Sequence, residues 1–573
     1  MKLKYLLLTL LLSAVAFGAQ AQLLQDFAAA PRREVRAVWL TTLSGLDWPS
    51  RPATDAAGER RQREELDRIL DRLQAAGVNT VIYQARIRGT VTYPSALEPW
   101  DICLTGRYGR APGYDPLTYA VEQCHRRGME LHAWVVAFPV CKLPAVKALG
   151  AEALPRRHPE LCRRSGDQWM MDPGVPATGD YIAELCAEIV RKYEVDGVHL
   201  DYIRYPENSL PWDDRDTFRK YGAGRPLAQW RRDNVTAVVR KVHDAVKAVR
   251  PWVKLSCSPV GKYADLPRQS SYGWNARDAV SQDAQGWLRD GLMDILFPMM
   301  YFDGRHFYPF AQDWQENAAG RLVVPGLGIY FLSPREKDWP LGVVERQMYF
   351  TRQLGMGGQA FFRSRFFTDN VKGLYDFAAR SFWKYPVPLP PMTWADSVAP
   401  ATPQAAVERR GHVIRMSWQA VKDDRPEVPV SYSVYRLEGD GARWPGDAIS
   451  LARGLRVTSY EYVPVTSAAF AARHVVTAVD AYGNESLPDT AGNVREQLAA
   501  PAGFVAVVDG YVALPQWAAG ENICYVADMA GRVVARREAA GGVDVRSLAP
   551  GLYELQLSDG TGGRRTVLRF SKQ

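Results

Sequence analysis

The chain is poor in the residues that build metal centres and disulfide frameworks. Only seven cysteines and eight histidines occur in 573 residues, and no two cysteines form a CxxC motif. Zinc-finger and dense disulfide patterns are therefore excluded, and we expect most of the thiols to be packing residues. One or two disulfides are compatible with this composition. We expect no metal and no cofactor.

Several other functional motifs are also missing. No GxGxxG follows the first candidate strand, which argues against a dinucleotide-binding sheet. No GxSxG elbow occurs, and Ser256 and Ser258 lack an evident triad, which argues against a serine hydrolase. No Lys/Arg block with interleaved aromatics marks a nucleic-acid-binding face. The net charge of +8 instead suits an acidic polymer, such as an anionic glycan.

Long apolar runs are absent after the first residues. The opening "MKLKYLLLTLLLSAVAFGAQAQ" has basic residues, an apolar stretch and a small-x-small site that ends at Ala21. This pattern predicts a signal peptide over residues 1–21, because the apolar stretch is short for a membrane anchor. No lipoprotein-type cysteine follows, since the first cysteine is Cys103. We therefore expect an exported protein, periplasmic, cell-surface or secreted, without a transmembrane segment.

An alternation of short β-rich runs and amphipathic helices fills the first two thirds of the chain. Apolar residues recur at helical spacing before the second, fourth and fifth runs, for example Leu66, Ile69, Leu70 and Leu73. Eight such units predict a (β/α)8 TIM barrel over residues 32–385, in preference to an open doubly wound sheet. The eight candidate strands are 34–42, 77–87, 130–138, 195–203, 253–260, 293–302, 322–331 and 357–367.

The rest of the chain reads as a linker and two β domains, and a chain of this length fits two to four domains. Residues 386–400 form a Pro-rich linker. Residues 401–498 alternate with period two and resemble a fibronectin type III β-sandwich with an early Trp418. Residues 500–573 resemble the small C-terminal β-sandwich, sorting or adhesion modules of exported bacterial proteins.

Polar side chains share the inward face of the candidate strands. In the fourth run, Val198 and Leu200 lie on one face, while His199 and Asp201 lie on the other, late in the strand. Unpaired burial of such groups costs about 1–3 kcal/mol each, so a ligand pocket is favoured over structural filling. The same counting in the other strands selects Trp39, Gln84, Arg86, His132, Trp134, Ser256, Tyr301 and Asp303.

Several phrases together resemble one family. "REVRAVWLTT", "SALEPWDICLTGRYGRAPGYDPL", "RGMELHAWV", "MDPGVPATGDYI" and "VDGVHLDYIRYP" are similar to the glycosyl-hydrolase-like family 10 proteins, over about residues 31–383. These are exported bacterial barrels that include a lipoprotein glycosidase acting on peptidoglycan glycan strands stripped of their peptides. The resemblance implies hydrolysis of a glycan. This chain lacks the lipobox and adds two β domains.

Glycoside hydrolysis needs a pair of carboxyl groups, one protonated and one ionised. Asp201 is the first candidate, although an Asp201–Arg204 or Asp201–Arg86 ion pair is the structural alternative. The second catalytic candidates are Asp303 and Asp172; Asp172 could instead shape the turn before Pro173. The candidate substrate-binding residues are Trp39, Gln84, Arg86, Glu98, His132, Trp134, His199, Tyr202, Arg204 and Tyr301.

The sequence thus predicts an exported O-glycosyl hydrolase acting on GlcNAc–MurNAc strands of peptidoglycan or on a related polysaccharide. The alternative is a non-catalytic glycan-binding or adhesive surface protein, whose β domains would carry the function. The sequence alone does not determine the linkage, the anomeric outcome or the oligomeric state.

Overall fold

The computed structural model describes residues 31–207, 210–270, 273–411, 413–439, 442–489 and parts of 504–572. The predicted signal peptide, 1–21, lies outside these residues. The chain divides into two compact units. The first runs to Ser397 and includes Ala481–Gly483, and the second comprises Val398–Asp480 and Asn484–Gln573.

The first unit is built on a nine-stranded parallel sheet with the order β7-β6-β5-β4-β3-β2-β1-β9-β8. Its strands are β1 Val35–Leu40, β2 Thr80–Arg86, β3 Glu130–Val136, β4 Gly197–Asp201, β5 Lys254–Cys257, β6 Ile295–Leu296, β7 Leu322–Val323, β8 Gly326–Leu327 and β9 Gly358–Phe361. All eight candidate strands are found, each shorter than the apolar run that predicted it. The last part of the eighth run is a helix, Ser364–Thr368.

The two end strands of this sheet, β7 and β8, belong to one chain segment that is interrupted at Pro325. Proline has no N–H to donate to a ladder, so the segment changes neighbours there. Gly326 N donates to Pro298 O at 2.8 Å on one side, and Ala360 N donates to Pro325 O at 3.0 Å on the other. The sheet therefore closes through this segment, which gives the TIM-barrel-like arrangement that the sequence predicts.

Helices cover the outside of the sheet. Leu66, Leu70 and Leu73 on the helix Ala56–Ala75 are buried, as their spacing predicts. Among the residues that the structure describes, no helix is long and apolar enough to cross a bilayer. The α-helices in the described residues of the first unit are Ala56–Ala75, Ile102–Thr105, Pro116–Arg126, Leu143–Leu149, Leu154–Arg157, Pro176–Lys192, Arg215–Tyr221, Leu227–Val249, Ala276–Ala279, Ala284–Arg289, Tyr308–Glu316, Leu341–Gln353, Ser364–Thr368 and Leu374–Phe377.

Paired charges occupy the N-terminal ends of the strands. Glu34 accepts hydrogen bonds from Arg36 Nε at 2.9 Å and from Arg352 Nε at 2.8 Å. Burial would raise the pKa of Glu34, but the two arginines hold it below its ordinary value. Lys254 Nζ likewise lies 2.8 Å from Glu130, and both side chains are largely buried. Each charge in these pairs therefore has an opposite charge beside it, although Arg36 Nη2 has no hydrogen-bond partner among the described residues.

The second unit holds β structure in two parts. Strands Ala405–Arg410, Val413–Trp418 and Ser459–Tyr462 form one antiparallel sheet, and Val430–Leu437, Ala448–Leu455 and Arg473–Asp480 form another. Apolar residues of both sheets, among them Trp418 and Val434, share one core. A short helix, Ser467–Ala471, lies between the strands.

The C-terminal part has a five-stranded sheet and a two-stranded sheet. Its strands are Phe504–Val505, Tyr511–Ala513, Ile523–Asp528, Val533–Glu538, Gly542–Asp544, Gly551–Ser558 and Arg564–Lys572.

Candidate active site

Asp201 is the last residue of β4 and lies at the C-terminal rim of the sheet. Its Oδ1 atom accepts two hydrogen bonds, from Ser258 Oγ at 2.9 Å and from the Tyr202 amide at 2.7 Å. Its Oδ2 atom accepts one, from Trp134 Nε1 at 3.1 Å. The carboxyl group is thus fixed by three donors, and Oδ2 carries the smaller number of them.

The environment of Asp201 alters its proton affinity in two opposing ways. Burial is the larger effect and raises the pKa of Asp201 above its ordinary value. The Arg204 guanidinium and the donors from Ser258, Tyr202 and Trp134 favour the ionised form and limit the rise. Such tuning is typical of a carboxyl group that exchanges a proton during a reaction, because a catalytic acid works best with a raised pKa.

The chain turns sharply directly after Asp201. Tyr202 has a φ of 51°, a left-handed conformation that a bulky residue rarely adopts. This turn brings the Arg204 guanidinium over the Tyr202 ring, 4.4 Å from its centroid. Arg204 is also 5.6 Å from the centroid of the Trp274 ring. The turn therefore assembles an arginine and two aromatic rings beside the carboxylate.

Aromatic residues from the segments that follow β6, β8 and β9 complete this part of the rim. Tyr301 stacks on Phe362, with ring centroids 5.5 Å apart, and meets Tyr330 edge-on at 5.8 Å. Burial raises the pKa of Tyr301, and the nearby Asp201 charge contributes in the same direction. Tyr301, Phe362 and Tyr330 are partly exposed. They offer flat apolar faces of the kind on which sugar rings stack.

The interior below the rim is closed by Trp39, His199 and Ser256. Trp39 Nε1 donates to His199 Nε2 at 3.3 Å, and His199 Nδ1 lies 3.0 Å from Ser256 Oγ. Because an indole nitrogen only donates, Nε2 must be unprotonated and Nδ1 must carry the hydrogen. Burial also holds the pKa of His199 well below its usual range. His199 is therefore a neutral packing and orienting residue here.

Other predicted substrate-binding residues bind one another. Arg86 donates to Glu98 through Nε at 2.8 Å and through Nη2 at 2.6 Å, and its Nη1 donates to Val136 O and Ala137 O. This buried pair fastens the loop after β2, which is a structural role. Gln84 Oε1 accepts from the backbone amides of Thr42 and Leu43 and so shapes the loop after β1.

His132 and Asp172 also form their hydrogen bonds with other groups of the protein. His132 faces inward, as its parity predicts, but near the start of β3, where its Nε2 is 3.1 Å from Glu130. Asp172 is buried and accepts from Arg163 Nε, Thr217 Oγ1 and the Gly174 amide, at 3.0, 2.8 and 2.9 Å. These contacts favour the turn-shaping role of Asp172 over a catalytic one.

Asp303 follows β6 and is exposed. Its charge acts on His306, whose pKa is lowered by desolvation and by Lys262 and Arg305, with Asp303 opposing. Of the predicted catalytic carboxylates, Asp201 ends β4 and Asp303 is exposed in the segment after β6, whereas Asp172 is buried and held by three donors. In the described residues of the first unit alone, no three His, Cys, Asp or Glu side chains bring ligand atoms within 4.8 Å of one another.

Sequence reasoning missed several rim residues. Glu207 Oε1 lies 3.9 Å from Arg204 Nη2, and the Arg88 and Glu207 charges both act on Tyr202. Trp274, Phe362 and Tyr330 were also passed over. Arg88, Glu207 and Trp274 lie in loops, where the alternation of side chains along a strand predicts nothing. Tyr330 lies in a short 3-10 helix, and Phe362 follows the last residue of β9. The length of the loops after β4 and β5 was the available signal.

Comparison with known proteins identifies the family. The model of the glycosyl hydrolase-like 10 family matches residues 34–325. Glycosyl hydrolase YngK of Bacillus subtilis is 30% identical over 434 residues, which cover 72% of this chain and 84% of YngK. The chain belongs to the glycosyl hydrolase-like 10 family. The resemblance seen in the sequence is thereby confirmed, and so is the enzyme class, a glycosyl hydrolase.

Two further proteins are similar to this chain. Glycosyl hydrolase DigH of Escherichia coli is 34% identical over 336 residues, covering 53% of this chain and 76% of DigH. The glycoside hydrolase domain of PgaB from Bordetella bronchiseptica is a structural neighbour with a TM-score of 0.43 and 14% identity, covering 61% of this chain and 98% of that domain.

Proposed function

We propose that this glycosyl hydrolase is exported and cleaves O-glycosidic bonds in a bacterial cell-wall glycan of the GlcNAc–MurNAc type. The observation that supports this proposal most directly is the environment of Asp201. A buried carboxyl group, held by three donors and flanked by an arginine and aromatic faces, stands at the end of the sheet where barrel enzymes place their chemistry.

In the proposed mechanism, Asp201 acts as the general acid. Its raised pKa favours the protonated form that must donate to the departing glycosidic oxygen. Oδ2 is the atom suited to this donation, because Oδ1 already accepts from both Ser258 and the Tyr202 amide. The second carboxylate stays ionised and either activates water or attacks the sugar directly.

We assign the second carboxylate to Asp303, with Glu207 as the competing residue. Asp303 is exposed in the segment after β6, so its carboxylate is open to solvent and to a ligand. Glu207 faces Arg204 across 3.9 Å, a geometry that suits ligand orientation.

Features outside the site support the choice of substrate and compartment. The predicted signal peptide leads to the envelope, and the net charge of +8 favours an acidic polymer. The two sheets of residues 405–480 share one core, as in a fibronectin type III-like sandwich. We propose that this domain and a C-terminal sandwich hold the enzyme on the envelope or on its substrate.

The direct test uses purified glycan strands freed of their peptides. The wild-type enzyme should release reducing ends from them, and the Asp201→Asn variant should bind the same strands without releasing any. If the wild type releases no reducing ends from these strands or from a panel of polysaccharides while still binding them, the glycan-binding alternative replaces the proposal.

A second experiment identifies the partner carboxylate. Asp303→Asn should lower kcat by about 10²–10⁴-fold, the usual range for loss of an acid or base. Asp172→Asn serves as the matched control and should lower thermal stability while sparing kcat. If Glu207→Gln removes activity and Asp303→Asn does not, the roles of these two residues are exchanged.

A further inference from the structure

Arg204 is buried with an unpartnered guanidinium nitrogen. Its side chain is 5% exposed, and its Nη1 atom has no partner among the described residues. The Glu207 carboxylate, 3.9 Å from Nη2, is beyond hydrogen-bonding distance. A guanidinium carries five N–H donors, and leaving a buried charged donor unsatisfied is costly.

Arg86 shows how the same protein treats a buried arginine that has only a structural role. Each of its guanidinium nitrogens has an acceptor, two from Glu98 and the others from backbone carbonyls of Val136 and Ala137. Arg36 Nη2 is also buried without a partner, but the Arg36 guanidinium is neutralised by Glu34 at 2.9 Å. Among the described residues, Arg204 has no carboxylate within hydrogen-bonding distance. This difference indicates that the acceptor for Arg204 comes with a ligand.

The residues around Arg204 indicate which kind of acceptor it binds. The guanidinium carbon lies 4.4 Å from the Tyr202 ring centroid and 5.6 Å from the Trp274 ring centroid. These rings lie over the guanidinium, whose N–H groups point outward in its own plane. A planar carboxylate matches these N–H groups with two parallel hydrogen bonds. Arg88, whose charge also reaches Tyr202, adds a second cation to the same side of the rim.

We propose that Arg204 binds the carboxylate of an acidic sugar that lies next to the scissile bond. This inference rests on the proposed function and adds to it the substrate feature that the enzyme recognises. Muramic acid in peptide-free glycan strands carries such a group, the free carboxylate of its lactyl ether. With the peptide attached, that carboxylate is an amide and offers no charge to Arg204.

The test compares two forms of one substrate. Peptide-free glycan strands are used as they are, and after conversion of their carboxylates to methylamides. Wild-type kcat/KM should be about tenfold or more higher on the acidic form, the loss expected for removing a charge-assisted bidentate contact. In Arg204→Gln this preference should disappear, because only the acidic form loses binding. Arg277→Gln, a half-exposed arginine paired with Asp278, is the control and should keep the wild-type ratio.

Two outcomes would overturn the proposal. One is an equal loss on both forms in Arg204→Gln together with an altered pH profile, since Arg204 would then act only by tuning Asp201. The other is a wild-type enzyme that does not distinguish the two forms. Binding of both forms to Asp201→Asn, measured by calorimetry, separates this question from hydrolysis. A preference for the acidic form there supports the Arg204 site even if hydrolysis fails, and no preference contradicts it.

Discussion

The two ends of the barrel treat charge in opposite ways. At the N-terminal ends of the strands, Glu34 is satisfied by Arg36 and Arg352, and Glu130 by Lys254. At the C-terminal rim, burial raises the pKa of Asp201, and Nη1 of Arg204 has no acceptor in the part of the chain that the structure describes. Both ends are buried and charged, so burial of charge alone does not mark the active site.

What distinguishes the ends is whether each charge is already neutralised within the protein. Closed ion pairs bind the strands and the following segments together, and removing one member leaves the other uncompensated. In our proposal, the under-satisfied charges at the rim raise the energy of the folded protein and gain their partners from substrate. Substitutions at either end of the barrel test this division.

Asp201→Asn should lower kcat by about 10²–10⁴-fold, because the proton donor is lost. The melting temperature should not fall, since the buried carboxylate whose ionisation is unfavourable has been removed. Reducing-end release and thermal unfolding measure the two effects. A variant that loses stability as well as activity would place Asp201 with the structural ion pairs.

Glu34→Gln at the opposite end should produce the reverse result. Two buried arginines lose their anionic partner, and breaking such a pair costs about 3–5 kcal/mol. Denaturant unfolding measures this loss. The remaining folded enzyme should keep its wild-type kcat, and a fall in kcat without loss of stability would contradict the comparison.

Tyr301→Ala should reduce kcat/KM by about tenfold, because the aromatic face stacked on Phe362 is removed. Tyr301→Phe is the matched control and keeps the ring, so its kcat/KM should stay within about twofold of wild type if stacking is the contribution. If the two variants lose activity equally, the hydroxyl group is the functional part.

The smallest effect is a difference in pH dependence. The folded-state pKa of Asp201 is raised by burial, so its protonated form stabilises the fold at low pH. This contribution is complete below the unfolded-state pKa and is lost as the pH rises through the folded-state pKa. The stability of wild type relative to Asp201→Asn should therefore decrease from about pH 4 towards pH 7. A flat difference would show that the pKa is not raised.

Periodicity was sufficient to predict the alternation of strands and helices. All eight candidate strands were found because a buried parallel strand reads as a short apolar run, whatever its neighbours. The ends were less predictable. The run at 322–331 is split by Pro325, and the run at 357–367 continues into the helix Ser364–Thr368. Both features depend on which strand supplies the next backbone partner, which a single sequence does not contain.

The alternation of side chains along a strand predicted which residues face the barrel interior. It did not predict how close to the C-terminal rim each of them lies. His132 and Trp134 both point inward from β3, yet His132 pairs with Glu130 near the start of the strand, while Trp134 reaches Asp201. The ion pair between Arg86 and Glu98 was also not predicted, because Glu98 lies in a loop, where strand alternation gives no information. A polar inward residue near the start of a strand is thus a weaker active-site candidate than one at its end.

The segment after the barrel has a practical consequence for cutting the protein into parts. Pro388 O accepts from the Glu34 amide at 3.1 Å, Val387 O accepts from Asn79 Nδ2 at 3.2 Å, and Trp394 Nε1 donates to Asp294 at 3.0 Å. A fragment that stops at residue 385 would lose these three contacts beneath the sheet. A catalytic fragment made for crystallisation or engineering should therefore extend past Trp394, although composition alone marks 386–400 as a linker.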